Sequence, residues 1–273
     1  RIKYDIGRDP LTDKRLTRYA TIRGTKKDAQ RELTSILHQI DTGAHVDATK
    51  ETVGGYLDQW LRDYAKGSVA PTTYERYSGI VAGHLKPALG KIVLKDLKPL
   101  QIQSYYTDAL ETGRLNREGG LSARTVHHHH RVLSEALKQA VRWRMIVINP
   151  AEAVIPPKPE TTEIEILDND ELKRLLQMAR PTRSYPAILL AATTGMRRGE
   201  VLAVRWRDID LDNAVLTVNQ AVEETKAGLR IKPPKTKRSR RNISLPGITV
   251  EMLRRHRVRQ LEERLKMGLG RDH

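Results

Sequence analysis

Ala192-Thr193-Thr194-Gly195-Met196-Arg197-Arg198-Gly199-Glu200-Val201-Leu202 is the stretch on which the reading of this chain turns. The approach to it is apolar and helix-forming, and the pattern predicts a helix over residues 184–193. Gly195 then marks a turn. Residues 194–200 read as a sharp turn into a short second helix. Arg197 stands in that turn, which suits a fixed side chain rather than a sweeping one. Glu200 follows three positions later, one helical turn away, placed to orient the Arg fork or a neighbouring cation. A guanidinium offers a planar fork of donors that keeps its charge near neutral pH, the geometry a phosphate needs. Arg197 and Arg198 read equally well, taken alone, as surface arginines before a helix; the flanking sequence decides.

Downstream comes Trp206-Arg207-Asp208-Ile209-Asp210, followed by strands at 215–218, 229–231 and 242–245 and a long basic helix over 248–267. Lys232-Pro233-Pro234-Lys235-Thr236-Lys237-Arg238-Ser239-Arg240-Arg241 forms a basic hairpin between the last two strands. Upstream, Asp168 and Glu171 make a capping box for a helix over 169–179. Residues 165–273 are thus expected to be α+β, with a small antiparallel sheet. Residues 154–164 (VIPPKPETTEI) hold three prolines and little to bury, an extended linker.

Before the linker, residues 49–153 predict a helical bundle. Val53, Tyr56, Leu57, Trp60, Leu61 and Tyr64 fall at helical spacing. Pro71 and Pro99 suit first turns. Ser122 caps a fourth helix carrying Val126, Leu133, Leu137, Ala140 and Val141. Residues 1–47 predict strands at 2–4, 15–19 and 20–23. A helix follows that opens at Thr25, with Asp28 in the capping-box position, and ends at Gly43.

Composition bounds the partners. Lys and Arg number 49 against 33 acids, a net charge of +16, and the pI is about 10.1. Such a field favours a polyanion, nucleic acid first, with an anionic membrane surface or an acidic protein behind it. No apolar run reaches the roughly 18 residues a membrane span needs. Cys is absent, which removes disulfides, zinc–thiolate sites and a Cys nucleophile and fits a cytoplasmic setting. Phe is absent too, so Leu, Ile, Val, Ala, Tyr and Trp must fill the core. The chain opens at Arg1 rather than Met, and an upstream segment is expected.

The 192–202 string, with Trp206-Arg207-Asp208-Ile209-Asp210 behind it, resembles the first catalytic box of the tyrosine recombinases, the phage-type integrases. The 232–241 hairpin, running into Ile243-Ser244-Leu245-Pro246, resembles the segment carrying that family's catalytic Lys. Leu121-Ser122-Ala123-Arg124-Thr125-Val126 through Asn149-Pro150 is similar to the last helix of its core-binding domain, and residues 1–46 to its small arm-site domain. The resemblance implies a multidomain α+β protein. A β-sheet-plus-helix arm-binding domain occupies 1–47, a helical core-binding domain 49–153, a linker 154–164 and part of a mixed α/β catalytic domain 165–273. The last two are expected to clamp one duplex.

The resemblance implies cleavage and rejoining of DNA through a Tyr–3′-phosphate link. Arg197 would stabilise the scissile phosphate, Lys235 would protonate the leaving 5′ oxygen or merely touch phosphate with its basic neighbours, and Glu200 would support them; no cofactor is needed. The double-stranded DNA partner carries core-type and arm-type sites, and a tetramer assembles on it in a bacterial or phage-encoded, nucleoid-associated setting. The family's H-x-x-R box, a later His or Trp and the nucleophilic Tyr are expected beyond this chain. His256-Arg257-Val258-Arg259 spells H-x-x-R, but it falls soon after Lys235 within a helix rich in Arg and Glu, and His256 reads as a surface position.

Candidate DNA contacts are Lys14, Arg15, Arg18 and Tyr19 on the N-terminal strands. Helix starts add Thr72, Thr73, Tyr74, Ser122, Arg124 and Thr125, and the hairpin adds Lys237, Arg238 and Arg240. In the run His127–His130 only His127 and His130 can share a face. Two ligands make no structural zinc site, so no metal is expected, and a His or two touching phosphate is. Trp60, Trp143 and Trp206 are expected in cores. Two other classes compete. A non-catalytic DNA-binding regulator would share the helical and basic parts; a metal-dependent nuclease would need a cluster of acids and His that the sequence lacks.

Overall fold

The computed structural model describes residues 1–8, 14–41, 50–116, 118–161, 163–234 and 239–268. The chain divides into two compact units, residues 1–161 and 162–273.

The first unit opens with an antiparallel pair, β1 (Ile2–Arg8) and β2 (Arg15–Ala20). Lys3 lies opposite Tyr19 and Tyr4 opposite Arg18, with an irregularity between Asp5 and Gly7. Helix α1 (Lys26–Asp41) packs against β1. Its cap is the predicted reciprocal one: Asp28 Oδ2 accepts from the Thr25 N–H at 2.8 Å, and Thr25 Oγ1 accepts from the Asp28 N–H at 3.3 Å. The strand expected over 20–23 does not form. β2 ends at Ala20, and the chain passes through Gly24 into the α1 cap instead. Gly43 lies outside the described residues.

Four helical runs follow, as the apolar spacing predicts. The first is α2 (Val53–Trp60), a π-helical turn at Leu61–Ala65, then α3 (Lys66–Ser68). The second is α4 (Pro71–Ile80), a π turn at Val81–Leu85, then α5 (Lys86–Leu89). The others are α6 (Pro99–Thr112) and α7 (Ala123–Arg142). The π turns lie outside a plain 3.6-residue reading. Each adds a residue to one turn, and both ends of each, Leu61 with Ala65 and Val81 with Leu85, are buried.

The core between these helices shows what an absence of Phe requires. Tyr56, Tyr105 and Tyr106 are buried in it beside Trp60, Leu85, Leu133 and Leu137. A buried phenol needs a hydrogen-bond partner. Tyr56 donates to the Ala136 carbonyl at 2.5 Å. Tyr105 Oη lies 2.7 Å from His129 Nδ1, and Tyr106 Oη 2.8 Å from His130 Nδ1. Two of the four consecutive histidines are therefore turned toward core tyrosines, which leaves His127 and His128 for the phosphate contact expected of one or two of the run. Burial holds His129 in its neutral form, its pKa lowered to about 4. Trp60 is fully buried, but Trp143, at the end of α7, is 37% exposed with its ring edge-on to Tyr56 and Tyr64. The expected core position holds for the first and not for the second.

In the second unit, α8 (Asn169–Ala179) carries the predicted Asp168–Glu171 capping box. Helix α9 (Tyr185–Thr194) leads to α10 (Arg198–Val201). The sheet has the antiparallel order β3 (Ile209–Asp210), β4 (Val215–Val218), β7 (Arg241–Ser244). A separate hairpin pairs β5 (Ala221–Thr225) with β6 (Gly228–Lys232). β5 is unforeseen because Glu223-Glu224-Thr225 shows no apolar alternation. Its pairing takes residues 229–231 out of the one small sheet that the sequence predicts. Leu216 and Val218 of β4 face a core with Leu190, Met196, Leu245 and Leu253, the last from α11 (Gly247–Lys266).

Candidate active site

α9 ends at Thr194, one residue past the predicted 193, and Gly195 caps it with φ +64° in the left-handed region that glycine enters without strain. Met196 is then buried, which anchors the turn from inside. Thr193 Oγ1 accepts from Thr249 Oγ1 at 3.0 Å and ties α9 to α11. Gly199 brings α10 so close to β5 that an added Cβ would stand 2.5 Å from the Val222 carbonyl oxygen. The turn is therefore held on three sides, and Arg197 extends from it.

Glu200 is the hub. Its side chain is 5% exposed, against 75% for Arg197 and 32% for Arg241. Oε1 accepts from Arg197 Nη1 at 3.0 Å and from Arg241 Nη1 at 3.3 Å. Oε2 accepts from the Arg197 backbone N–H at 3.0 Å and from Arg241 Nη2 at 2.9 Å. Four donors fill a carboxylate's acceptor positions. Hydrogen bonding from Arg241, then from the Arg197 backbone and side chain, outweighs the opposing effect of burial and holds the Glu200 pKa down to about 2. A carboxylate so saturated is no proton acceptor; it positions two guanidiniums. Two cations on one anion leave a net positive charge at the mouth of the turn. The sequence reading left open whether Glu200 orients Arg197 or a neighbouring cation. It does both.

Arg241 is the residue missed as a member of this site. In sequence it is one of several basic residues in the hairpin. Only its place at the start of β7, opposite Val218, turns it toward Glu200. Arg240, its neighbour, is exposed. Lys235, Lys237 and Arg238 lie outside the described residues.

Behind the site, Asp208 accepts from Arg205 Nε at 2.7 Å, Arg205 Nη2 at 2.9 Å and Asn219 Nδ2 at 3.1 Å. Trp206 is half-buried, and its Nε1 donates to Gln260 Oε1 at 2.9 Å. His256 is not the surface position expected. It is half-buried with its ring 6.0 Å from that of Trp206, and its Nδ1 is shielded from solvent with no partner.

The remaining candidates lie in the first unit. Lys14, Arg15, Arg18 and Tyr19 are all exposed. The strand period puts Arg15 and Tyr19 on one face of β2 and Arg18 on the other. Arg15 pairs with Asp5, and the Arg1 guanidinium stands 4.5 Å from the Tyr19 ring centroid. Thr72, Thr73 and Tyr74 are half-buried in the first turn of α4, and Tyr74 packs against the core. Ser122 Oγ accepts from the Thr125 N–H at 3.2 Å as the α7 cap and lies 2.9 Å from Thr125 Oγ1; Arg124 is exposed beside them.

Two family profiles match this chain: the N-terminal SAM-like domain of phage integrases over residues 52–110, and the phage integrase family over residues 165–265. The tyrosine recombinase XerC-like protein of Caldanaerobacter subterraneus subsp. tengcongensis is 31% identical, over 98% of this chain and 70% of its own length. An integrase of Saccharopolyspora erythraea is 25% identical over 82% of this chain and 49% of its own length. The solved Tn1549 transposon integrase in complex with transposon right end DNA superposes with a TM-score of 0.64 at 21% identity, covering 75% of this chain and 64% of that one. A lambda integrase dimer bound to a core site gives 0.53 at 22%, covering 83% and 62%. The chain belongs to the phage integrase family of tyrosine recombinases. It spans from about half to seven tenths of the length of these relatives.

Proposed function

We propose that this chain supplies the DNA-binding parts and the first half of the active site of a site-specific recombinase that integrates or excises mobile DNA. The observation that carries the reading is Arg197. Its backbone and one guanidinium nitrogen are fixed on buried Glu200, while the rest of the side chain is exposed. Such a group meets a phosphate without first being ordered, and preorganised charge is what a five-coordinate phosphorus rewards. In the reaction, a tyrosine oxygen attacks phosphorus, the bond to the 5′ oxygen breaks, and Lys235 gives that oxygen its proton. Arg197 takes the growing negative charge on the non-bridging oxygens, and Arg241 joins Glu200 in holding it.

Tyr56, Tyr105 and Tyr106 are core residues whose pKa values burial raises, and Tyr185 opens α9. In this reading none of these four is the nucleophile. Residues 1–47 are assigned to arm-type sites, 49–153 to core-type sites and 165–273 to the catalytic domain, with 154–164 as linker. The protein would act as a tetramer on DNA in the bacterial cytoplasm. No helix among the described residues is long and apolar enough to cross a membrane.

A duplex with a nick beside the scissile bond traps the covalent adduct on a denaturing gel. The chain of 273 residues is expected to bind duplex DNA with a log–log salt slope of about −7, for about 8 neutralised phosphates, and to form no adduct. The protein carried to its native C-terminus is expected to form one, and Arg197→Ala to abolish it while most binding remains. Adduct formation by the shorter chain, or its survival in Arg197→Ala, sinks the reading. Binding without an adduct in the longer protein favours the DNA-binding regulator.

A further inference from the structure

Helix α7 has two working faces. Val126, His129, Leu133 and Leu137 are buried. Arg124, His128 and Arg131 stand at i, i+4 and i+7, within about 60° of one another around the axis. Arg124 and Arg131 are exposed, and His128 is half-buried between them. Helix α4 packs against α7 and brings a third arginine, the exposed Arg76, to act on the same imidazole. The groups that act on His128 are Arg76 from α4 and Arg131, His127 and Arg124 from α7 itself. None is an acid. Among the described residues none of the three arginines forms an ion pair with a carboxylate, whereas Arg197, Arg205, Arg241 and Arg254 each do.

Three guanidiniums on two packed helices, none paired with a carboxylate among the described residues, with a titratable ring on the same face, suit a polyanion. Taking the proposed DNA binding as given, we propose that Arg76, Arg124 and Arg131 seat a backbone phosphate of duplex DNA over His128, and that His128 takes up a proton as the phosphate arrives. In the free protein, burial and then the surrounding cations disfavour the imidazolium. A phosphate reverses the sign of that local field. The proton comes from solvent and rests on the imidazole; no covalent bond changes. Affinity for DNA must then rise as pH falls, by at most about tenfold per pH unit for one proton.

The experiment measures affinity for a 30-base-pair duplex of arbitrary sequence, at fixed salt, from about pH 5.5 to 8. The intact chain is expected to bind severalfold more weakly at the alkaline end. His128→Gln is expected to match the parent at high pH and to lose much of the gain at low pH. His128→Arg, carrying a fixed charge, is expected to hold tight binding across the range. Arg76→Ala and Arg131→Ala should each weaken binding and reduce the salt slope by about 1. A pH profile in His128→Gln superimposable on the parent's, or unchanged salt slopes in both arginine variants, overturns the proposal while leaving DNA binding intact. Failure of the parent chain to bind duplex at any pH would remove the DNA-binding reading itself, and this proposal with it.

Discussion

At the scale of single residues, Glu200 carries the most consequence. Its carboxylate is buried beneath Arg197 and Arg241 and accepts four hydrogen bonds from them. Glu200→Gln removes the anion and leaves two guanidiniums facing each other across a neutral amide. Breaking a buried pair by removing one partner is costly, but both arginines here reach solvent, which lowers the figure. A loss of about 1–3 kcal/mol is expected, read from urea unfolding of the second unit through Trp206 fluorescence. The linkage has a definite sign. Glu200 has a folded-state pKa of about 2 against a reference value of 4.5. Its contribution is fully present above about pH 4.5 and is lost as pH falls toward 2. The parent chain should therefore lose stability across that window more steeply than Glu200→Gln. Equal slopes would show that the carboxylate is not held as described. His129 follows the same rule in a higher window. With its pKa lowered to about 4, it opposes folding as pH drops below the usual His range near 6.5.

At the scale of elements, the site depends on how closely α10 approaches β5. Gly199 makes that approach possible, because a methyl group there meets the Val222 carbonyl at 2.5 Å, and backbone on both sides cannot swing away as a side chain does. Gly199→Ala must push α10 off the hairpin or distort the turn that holds Arg197. A destabilisation of about 1–3 kcal/mol is expected, the cost of overpacking. In the full-length protein, adduct formation should fall far more than DNA binding, since a small displacement of a preorganised charge is felt mostly in the transition state. Wild-type adduct yield in Gly199→Ala would show that the close approach has no part in placing Arg197. The capping boxes at Thr25 and Asp168 were legible for the opposite reason: each is closed within four residues, so no tertiary neighbour alters it.

At the scale of the whole molecule, the division into residues 1–161 and 162–273 leaves each unit with its own apolar cluster. Between them, residues 155–161 and 163–167 have no regular secondary structure. Glu160, Glu163 and Glu165 are exposed there. A Glu-specific protease is expected to cut first at these positions and to yield two fragments that persist through the digest, identified by intact mass. First cuts within α7 or α11 would contradict two separately folded units.

The sequence by itself determined the main helical runs, the caps at Thr25, Ser122 and Asp168 and the turn at Gly195, because each is decided by spacing or by contacts a few residues long. It also placed Arg197 and Glu200 one helical turn apart, and its net charge of +16 pointed to a polyanion. Tertiary structure alone decided which basic residue of the 232–241 hairpin joins them. Arg241 reaches Glu200 across 41 positions of sequence through the pairing of β4 with β7, and no local pattern separates it from Arg240. The histidine run was ambiguous for the same reason. A helix fixes the angle between neighbours, but only packing against α6 settles that His129 and His130 serve the phenols of Tyr105 and Tyr106, while half-buried His128 shares a face of α7 with Arg124 and Arg131.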